Sequence, residues 1–375
     1  MTGRDMRILA TVPHLSQPGG VASYYSTLYS YLKSDMDYLA VGARAVDERL
    51  VQKPFGFLHD CWTFFKRLRG GQYDAVLVNP TFGRYAIIRE AAFILMAKGH
   101  KKKTLVYIRG WRWDAIKRRC VRWLLRQIYF RADAIIVQGV EFKRALERIG
   151  CKKPIYVETT VLSEEAFSYA PKFAATSADA VSACCRILFL SRIEKEKGVY
   201  EAINAFRKLK QKHPSVMLTI AGTGAEVENV KQYVAKQQIT NISFTGWLVG
   251  QAKRCVYEQS DIFLFPSSWG EGMPNAVLDA MAYGLPLVTR SVGAIPDLFA
   301  IGQVGFMTES RNPADFADLM AKVIENADLR SKLARENRAL ALKYFAPLRV
   351  ADRLRAIHRN VLFGEECPQE WFSNL

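Results

Sequence analysis

The sequence predicts an α/β fold with two doubly wound, Rossmann-like domains facing a cleft. Its 375 residues are enough for two domains of ordinary size. Short apolar runs alternate with stretches of helical periodicity, which is typical of parallel βαβ units. This alternation stops in an Ala- and Ser-rich stretch, residues 163–185, and then restarts. The chain therefore divides into two halves of the same class.

The first domain opens with a predicted strand at residues 6–12 and a loop that contains Gly19 and Gly20. A helix follows, because apolar residues recur at spacing i, i+3, i+4 and i+7 in Val21, Tyr24, Tyr25 and Leu28. The remaining strands are predicted at 75–78, 104–108 and 134–137, and helices at 87–97 and 117–129.

The second domain restarts with a predicted strand at residues 186–190 and a helix at 199–210. Further strands are predicted at 216–221, 242–245, 261–266 and 287–289, with a helix from Pro274. The chain is helical from Asn312 onward, and a helix at 349–362 is expected to cross back to the first domain. The predicted boundaries are 1–165, a linker at 166–185, 186–345, and a C-terminal helix at 346–375.

Cysteine and histidine usage argues against cross-links and metals. The seven cysteines are odd in number, none forms a CxxC pair, and Cys184 and Cys185 are adjacent. A disulfide framework is therefore not expected, and a reducing compartment fits better. The five histidines show no metal-ligand spacing, so we expect no metal site.

The net charge of +17 is unevenly distributed. Residues 1–165 carry 28 Lys and Arg against 15 Asp and Glu, whereas the rest carries 25 against 21. Such a basic half favours an anionic partner, although a basic surface can also serve solubility alone. We see no signal peptide, and the longest apolar run, 91–97, is far shorter than the roughly 20 residues of a membrane span. We expect a soluble or peripheral protein.

The segment from Pro266 to Asp279 combines a glycine-rich loop with a helix start. Gly270 and Gly272 let the backbone approach a ligand, and Pro274 suits the first helical position. The free amides and dipole of the helix start favour an anion such as a diphosphate. Asp279 lies off the expected buried stripe and can accept hydrogen bonds from a diol such as ribose. The alternative is a capped helix with Asp279 solvated.

A second segment, residues 191–198, places two cations on a strand-to-helix loop. Arg192 and Lys197 are five residues apart, so both can reach one diphosphate. The alternative is an exposed basic loop in which these cations pair with Glu194 and Glu196.

Two glycine turns complete the set. Gly222 and Gly224 follow a predicted strand, but Val227 stands where a dinucleotide fingerprint has its third glycine, so a nicotinamide cofactor is not indicated. Gly19 and Gly20 can bring backbone amides to a phosphate from the opposite domain.

These segments together resemble glycosyltransferase family 4, whose members are retaining enzymes with the GT-B fold. The resemblance covers the second half nearly end to end, and it is weaker in the first half. Its motifs are Arg192…Lys197-Gly198, Gly222-Thr-Gly224, Phe244-Thr-Gly-Trp247, Glu271-Gly-Met-Pro-Asn275, residues 280–286 and Gly293-Ala-Ile-Pro296.

The resemblance implies a role for each matching residue. Arg192 and Lys197 would hold the donor diphosphate and Glu271 the donor sugar; these three are the candidate catalytic residues. Asp279 takes the second acidic position of the E-x7-E pattern, one methylene shorter than the usual Glu, and would hold the ribose hydroxyls. The other candidate substrate-binding residues are Gly19, Gly20, Arg109, Gly222, Gly224, Gly272, Met273, Pro274 and Asn275.

The implied reaction breaks the bond between an anomeric carbon and a diphosphate. Arg192, Lys197 and the helix-start amides would stabilise the charge that develops on the leaving group, and one such donor is typically worth roughly 3–4 kcal/mol. The family implies retention of anomeric configuration without a protein nucleophile. We expect a hexose-type donor with UDP favoured as the nucleotide, no metal, and no cofactor apart from the nucleotide-sugar co-substrate.

The family's N-terminal domain usually handles the acceptor, so we expect residues 1–165 to bind a glycan or a lipid-linked glycan. Relatives often place His where this chain has Arg109, whose guanidinium stays protonated but can bind an anionic acceptor. Basic residues interleaved with tryptophans between Lys98 and Arg126 favour an anionic membrane surface. The apolar stripe of this region is expected to be core, with only its arginine face meeting lipid. The expected location is the cytoplasmic face of the membrane.

Two alternative hypotheses account for part of the sequence. A nucleotide-sugar epimerase, or a phosphorylase, keeps the fold, but the epimerase would not be expected to show this Arg–Lys and Glu-Gly-Met-Pro-Asn set. A phosphorylase normally needs a pyridoxal phosphate lysine and a longer chain. A non-enzymatic nucleic-acid binder would explain the basic and aromatic clustering and predicts salt-dependent oligonucleotide binding. It leaves the second half unexplained, so we expect no nucleic-acid partner.

Overall fold

The computed structural model of the protein describes residues 5–17, 19–42, 53–169 and 184–367. The chain forms two compact units. The first runs up to Val161 and resumes at Pro347, and the second spans Leu162–Ala346. Of the predicted linker at 166–185, residues 170–183 lie outside the described residues. A short helix, α7 (Glu164–Phe167), overlaps the start of this linker and belongs to the second unit.

The first unit contains a parallel sheet with the strand order β2-β1-β3-β4-β5-β6. Its strands are β1 (Ile8–Val12), β2 (Met36–Ala40), β3 (Ala75–Val78), β4 (Lys103–Ile108), β5 (Ala134–Val137) and β6 (Ile155–Val157). Its helices are α1 (Gly20–Leu32), α2 (Lys53–Gly70), α3 (Arg84–Gly99), α4 (Trp113–Lys117), α5 (Arg119–Gln127) and α6 (Val140–Arg148). The central strands are buried along their whole length because helices cover both faces of a parallel sheet.

The second unit contains a second parallel sheet, with the order β12-β11-β10-β7-β8-β9. Its strands are β7 (Arg186–Leu190), β8 (Met217–Ala221), β9 (Ile242–Gly246), β10 (Ile262–Phe265), β11 (Leu287–Arg290) and β12 (Gly305–Thr308). Besides α7, its helices are α8 (Val199–Lys212), α9 (Val227–Lys236), α10 (Gly250–Glu258), α11 (Asn275–Ala282), α12 (Ile295–Ala300), α13 (Pro313–Ile324) and α14 (Ala327–Phe345). The predicted α/β class with two doubly wound sheets is confirmed.

Each sheet starts on an interior strand and reverses its direction of growth. In the first unit β1 lies between β2 and β3, and in the second β7 lies between β8 and β10. The connections leave the two strands at such a point in opposite directions, so their carboxyl ends border a crevice where ligands bind in open α/β sheets. The loops after β1, β3, β7 and β10 are therefore where each unit can hold a ligand.

The predicted helix at 349–362 is α15 (Pro347–Phe363), and it packs into the first unit. Its buried residues Val350, Ala351, Leu354 and Ile357 share one apolar core with β1 and α1. The predicted single helix at 117–129 is instead split into α4, α5 and a short 3-10 turn, because Arg118 between them has an extended backbone.

One histidine of α15, His358, is fully buried, and neither ring nitrogen has a hydrogen-bond partner among the described residues. Burial lowers the pKa of this imidazole from 6.5 to about 3. Below pH 6.5 His358 therefore binds a proton in the unfolded chain but stays neutral in the folded chain. We expect the free energy of unfolding to fall by about 1.4 kcal/mol per pH unit from this residue as the pH drops from 6.5 towards 3.

Urea unfolding at several pH values between about 7.5 and 4 would measure this slope, because the imidazole of an unfolded chain titrates within this range. A His358→Leu variant is the control, because it lacks the titrating ring and should show a flatter pH dependence. Identical slopes in the two proteins would contradict the assignment.

Candidate functional site

The loop between β7 and α8 carries Arg192 and Lys197 and lies at the reversal point of the second sheet. It tightens into a 3-10 turn at Lys195–Lys197, and α8 begins after Gly198. Gly198 has a left-handed backbone with φ of 80°, and an added Cβ would lie 2.4 Å from the carbonyl oxygen of Pro266. Only glycine therefore lets this turn approach the end of β10.

Neighbouring loops pack against this turn through backbone contacts. A Cβ on Gly222 would lie 1.9 Å from the carbonyl oxygen of Ser191, and one on Gly224 would lie 2.4 Å from that of Ile193. The Ile193 amide donates to the Thr223 carbonyl at 2.9 Å. Gly222 and Gly224 thus bring their backbone close to the loop that carries Arg192, and their role as substrate-binding residues stays a prediction.

Lys197 and Glu271 form a buried ion pair. The Lys197 Nζ lies 2.5 Å from the Glu271 Oε1, and the Ser267 hydroxyl donates to the same oxygen at 2.7 Å. Lys197 is 7 % exposed and Glu271 8 %. The Oε2 atom of Glu271 accepts no hydrogen bond from the described residues. The structure thus joins two of the three candidate catalytic residues, 74 positions apart in sequence.

Arg192, the third candidate, is half-exposed and pairs with Glu194 at 2.7 Å. Arg192 thus forms the ion pair with Glu194 that the alternative interpretation predicted. The alternative interpretation is wrong for Lys197, because this lysine pairs with Glu271.

The helix after the glycine loop, α11, begins at Asn275 and not at Pro274, which is the N-cap with an extended backbone. The predicted first helical position of Pro274 is wrong by one residue. Just before it, the amide groups of Gly272 and Met273 donate to no group of the described residues. Gly272, Met273 and Asn275 therefore lie in the loop and helix start where the sequence predicts an anion site.

Asp279 is fully buried, so the alternative of a solvated carboxylate is wrong, as is its placement off the buried side of the helix. Its Oδ1 accepts from the Ser163 amide at 3.0 Å and its Oδ2 from the Lys253 Nζ at 2.6 Å. A ribose-binding role of Asp279 stays a prediction. The structure shows that this carboxylate fixes the start of α7 and holds a lysine of α10.

The candidates Gly19, Gly20 and Arg109 belong to the first unit. Gly19 is the exposed N-cap of α1, and Gly20, also exposed, is the first residue of that helix. Arg109 is 7 % exposed, and its guanidinium carbon lies 3.5 Å from the ring centre of Tyr24. It donates to the Thr160 hydroxyl at 3.1 Å, while its Nε and Nη1 have no partner among the described residues.

Sequence reasoning missed two residues of the second unit. Ser267 orients Glu271, and Lys253 pairs with Asp279. Ser267 comes directly after the β10 strand and Pro266, and this position after a strand is a pattern from which the residue could have been predicted. Lys253 gives no such signal, because it sits among other charged residues of an amphipathic helix.

In the described part of the chain, no three His, Cys, Asp or Glu side chains are grouped so as to hold a metal ion. None of the helices among the described residues is long and apolar enough to cross a bilayer.

Comparison with known proteins finds a family match in the second unit. Residues 185–340 match the family described as "Glycosyl transferases group 1". The chain is 29 % identical over 184 residues to glycogen synthase of Mycobacterium tuberculosis. The aligned region covers 49 % of this chain and 44 % of that protein. It is 26 % identical over 180 residues to spore coat protein SA of Bacillus subtilis, covering 46 % and 48 %. The chain thus spans about half the length of the curated relatives it matches.

Solved structures match over nearly the whole chain. A glycosyltransferase from Rickettsia africae superposes with a TM-score of 0.74 at 16 % identity, covering 97 % of this chain and all of that one. HepE of Anabaena, solved in complex with UDP and glucose, gives a TM-score of 0.70 at 16 % identity, covering 95 % and 100 %. At this identity the likeness shows the fold, which is that of the GT-B glycosyltransferases.

Proposed function

We propose that the chain, whose residues 185–340 match the group 1 glycosyl transferases, is a retaining glycosyltransferase. It moves a hexose from a UDP-sugar onto a glycan or a lipid-linked acceptor, in the synthesis of a cell-surface polysaccharide or glycolipid. The observation that carries the proposal is the buried pair of Lys197 and Glu271 at the reversal point of the second sheet.

The chemistry follows from where charge develops. As the bond between the anomeric carbon and the diphosphate breaks, its electrons pass to the β-phosphate oxygen. Lys197 supplies a nearly desolvated ammonium there, Arg192 a second cation, and Gly272 and Met273 two backbone donors. Such groups are fixed before the reaction and act in a site with little water, so they stabilise the leaving group strongly. The acceptor oxygen bonds to the anomeric carbon on the face that the diphosphate leaves and passes its proton to the leaving phosphate.

Glu271 has the geometry of a group that orients the donor sugar. Its Oε1 is held by Lys197 and Ser267, which fixes the carboxylate, while Oε2 accepts from none of the described residues. A sugar hydroxyl can donate to Oε2 without displacing the lysine.

The names of similar proteins support the proposed classes of donor and acceptor. HepE was solved with UDP and glucose, which favours UDP as the nucleotide. Glycogen synthase and the amylovoran biosynthesis glycosyltransferase AmsK of Erwinia amylovora, which is 29 % identical over 158 residues and covers 40 % of this chain, are named for the glycans they make. A glycan product is therefore the proposal for this chain.

Binding of donors to the purified chain tests the function directly. UDP-sugars are expected to raise the melting temperature more than GDP- or ADP-sugars, because a ligand that binds only the native state stabilises it. Transfer is expected to persist in EDTA, since Arg192 and Lys197 neutralise the diphosphate. Failure of every nucleotide sugar to stabilise the chain would sink the proposal; loss of transfer in EDTA with recovery in magnesium would sink the role of the two cations.

We further propose that the first unit docks on an anionic membrane. Its helices α2, α3 and α5 expose large apolar side chains beside basic ones. The exposed apolar residues are Phe55, Leu58, Trp62, Tyr85, Ile88, Leu95 and Trp123. On α5, Leu125 is buried as core, whereas Arg119 and Arg126 are exposed around Trp123. A basic residue near an anionic leaflet contributes about 1 kcal/mol, and interfacial aromatic rings add apolar contact.

Co-sedimentation with vesicles would measure this docking. More protein is expected to pellet with phosphatidylcholine vesicles containing phosphatidylglycerol than with phosphatidylcholine alone, and salt should weaken the binding. Exchange of Arg119 and Trp123 for serine should reduce it, whereas exchange of Lys231 in the second unit serves as the matched control. Equal binding to neutral and anionic vesicles would refute the charge argument.

A further inference from the structure

We propose that Lys253 of α10, and not Asp279, contacts the ribose of the nucleotide donor, and that Asp279 is the residue that positions this lysine. This assignment rests on the proposed function, in which a UDP-sugar binds with its diphosphate at the start of α11. The ribose is then recognised by an ammonium that donates hydrogen bonds to its oxygens, where the resemblance implies a carboxylate that accepts them.

Asp279 lies one turn into α11, on the face of the helix that also carries Asn275. The two residues are four positions apart, which is about 6 Å along the helix axis. Side chains of a helix lean towards its first turn, so the Asp279 carboxylate leans towards the loop of Gly272 and Met273. A ribose attached to a diphosphate at that loop therefore comes close to Asp279 and to the group that covers it.

The Asp279 carboxylate itself is closed to a ligand. Its side chain is 0 % exposed. Its Oδ1 accepts from the Ser163 amide at 3.0 Å and its Oδ2 from the Lys253 Nζ at 2.6 Å. A ribose hydroxyl could bind Oδ2 only by displacing the lysine, which would exchange an ammonium for a neutral hydroxyl beside a buried carboxylate. The hydroxyl is the weaker partner, so the ion pair persists when a nucleotide binds.

The Lys253 ammonium is open to a ligand. Its side chain is 23 % exposed. An ammonium has three N–H donors, and the bond to Asp279 uses one of them; the described residues offer this group no second acceptor. The Nζ also lies 5.9 Å from the ring centre of Tyr257, which helps to hold it in place. Two donors therefore remain for ligand oxygens at a fixed position.

The shorter acidic side chain fits this arrangement. Asp279 is one methylene shorter than the glutamate that the E-x7-E pattern usually has, and Lys253 reaches it from 26 positions earlier in the sequence. Together the two side chains form a unit without net charge. A carboxylate open to the ligand would repel the neighbouring diphosphate, whereas this neutral pair does not.

Binding of UDP, 2′-deoxy-UDP and 3′-deoxy-UDP to the full chain, measured by isothermal titration calorimetry, tests the assignment. At least one deoxy analogue should bind the wild type about fivefold more weakly than UDP, because one hydrogen bond to the ribose is lost. In Lys253→Met this ratio of dissociation constants should fall to about one, since the donor is absent. If Asp279 bound the ribose directly, removing the lysine would open the carboxylate, and the ratio would persist or rise.

A double variant separates these effects from stability, because Lys253→Met alone leaves Asp279 buried without its partner. Lys253→Met/Asp279→Asn removes both charges, and its melting temperature reports whether it is folded. Asp279 acts only through the lysine in this proposal, so the double variant should show the same ratio as Lys253→Met. Lys231→Met is the matched control, since Lys231 is a lysine of α9 that pairs with Glu228 at 3.0 Å on the surface. It should keep the wild-type ratio.

Three results would each overturn the inference. They are a wild type that binds UDP and both deoxy analogues equally, a wild-type ratio in Lys253→Met, and a ratio that falls only when Asp279→Asn is added to Lys253→Met. Binding of UDP to the wild type separates this inference from the proposed function. If UDP binds and one of these results is found, only the inference has failed, whereas absence of UDP binding removes the UDP-sugar donor of the proposed function.

Discussion

Replacing Lys197 with alanine is expected to lower kcat for sugar transfer by about two to three orders of magnitude, as the loss of one pre-positioned donor to a developing oxyanion does. The ammonium is 7 % exposed, so water cannot replace it at the leaving diphosphate. Transfer from the UDP-sugar identified in the donor screen would be measured under saturating donor. The change should appear mainly in kcat, because the charge on the β-phosphate grows in the transition state.

Lys195→Ala is the matched control, since Lys195 lies on the same turn but is exposed and pairs loosely with Glu226 at 3.7 Å. We expect its kcat within about twofold of wild type. The single Lys197 variant also leaves Glu271 buried without its partner, so a Lys197→Met/Glu271→Gln double variant separates stability from catalysis. It should regain stability and remain inactive. Wild-type activity in Lys197→Ala, or an equal loss in Lys195→Ala, would refute the assigned role.

Replacing Glu158 with alanine is expected to lower the free energy of unfolding by about 3–5 kcal/mol. Glu158 is 1 % exposed and accepts three hydrogen bonds from Arg353 of α15, at 2.8, 2.9 and 3.3 Å. Removing the carboxylate takes from the largely buried Arg353 guanidinium the counter-charge that Glu158 supplies. Urea unfolding of the intact chain and its melting temperature would measure the loss.

Arg359→Ala is the control for this experiment, because Arg359 lies on the same helix and pairs with Glu365 near the surface. Its effect should stay below about 1 kcal/mol. A double variant, Glu158→Gln/Arg353→Met, should recover most of the stability, since neither partner is then left charged and alone. If Glu158→Ala were as stable as Arg359→Ala, the pair would not anchor α15.

Strands in the interior of each sheet were predictable from the sequence, whereas only one of the four edge strands in the described part of the chain, β9, was predicted. β3 and β5 have the predicted bounds, because a strand covered on both faces reads as an unbroken apolar run. β2, β6 and β12 were missed. β2 is an edge strand with a half-exposed pattern, and β6 has three residues, so neither gives a run long enough to separate from a loop.

The candidate site was predictable as a set of loops but not as a set of contacts. The positions of Arg192, Lys197 and Glu271 after β7 and β10 follow from the strand pattern, whereas the pairing of Lys197 with Glu271 depends on how those loops pack. The environment of Asp279 was not predictable, because the Ser163 amide that buries one of its oxygens lies 116 residues away. Helical spacing describes one helix and carries no information on what covers it.

The return of α15 to the first unit has a consequence for synthesis on the ribosome. The second unit is one uninterrupted stretch, so it can fold as soon as that stretch has emerged. The first unit is translated earlier but lacks Val350, Leu354 and Ile357 until α15 follows. The apolar surface that α15 covers therefore stays exposed while about 185 further codons, those of the second unit, are translated. A nascent chain of this design needs protection from aggregation during that interval.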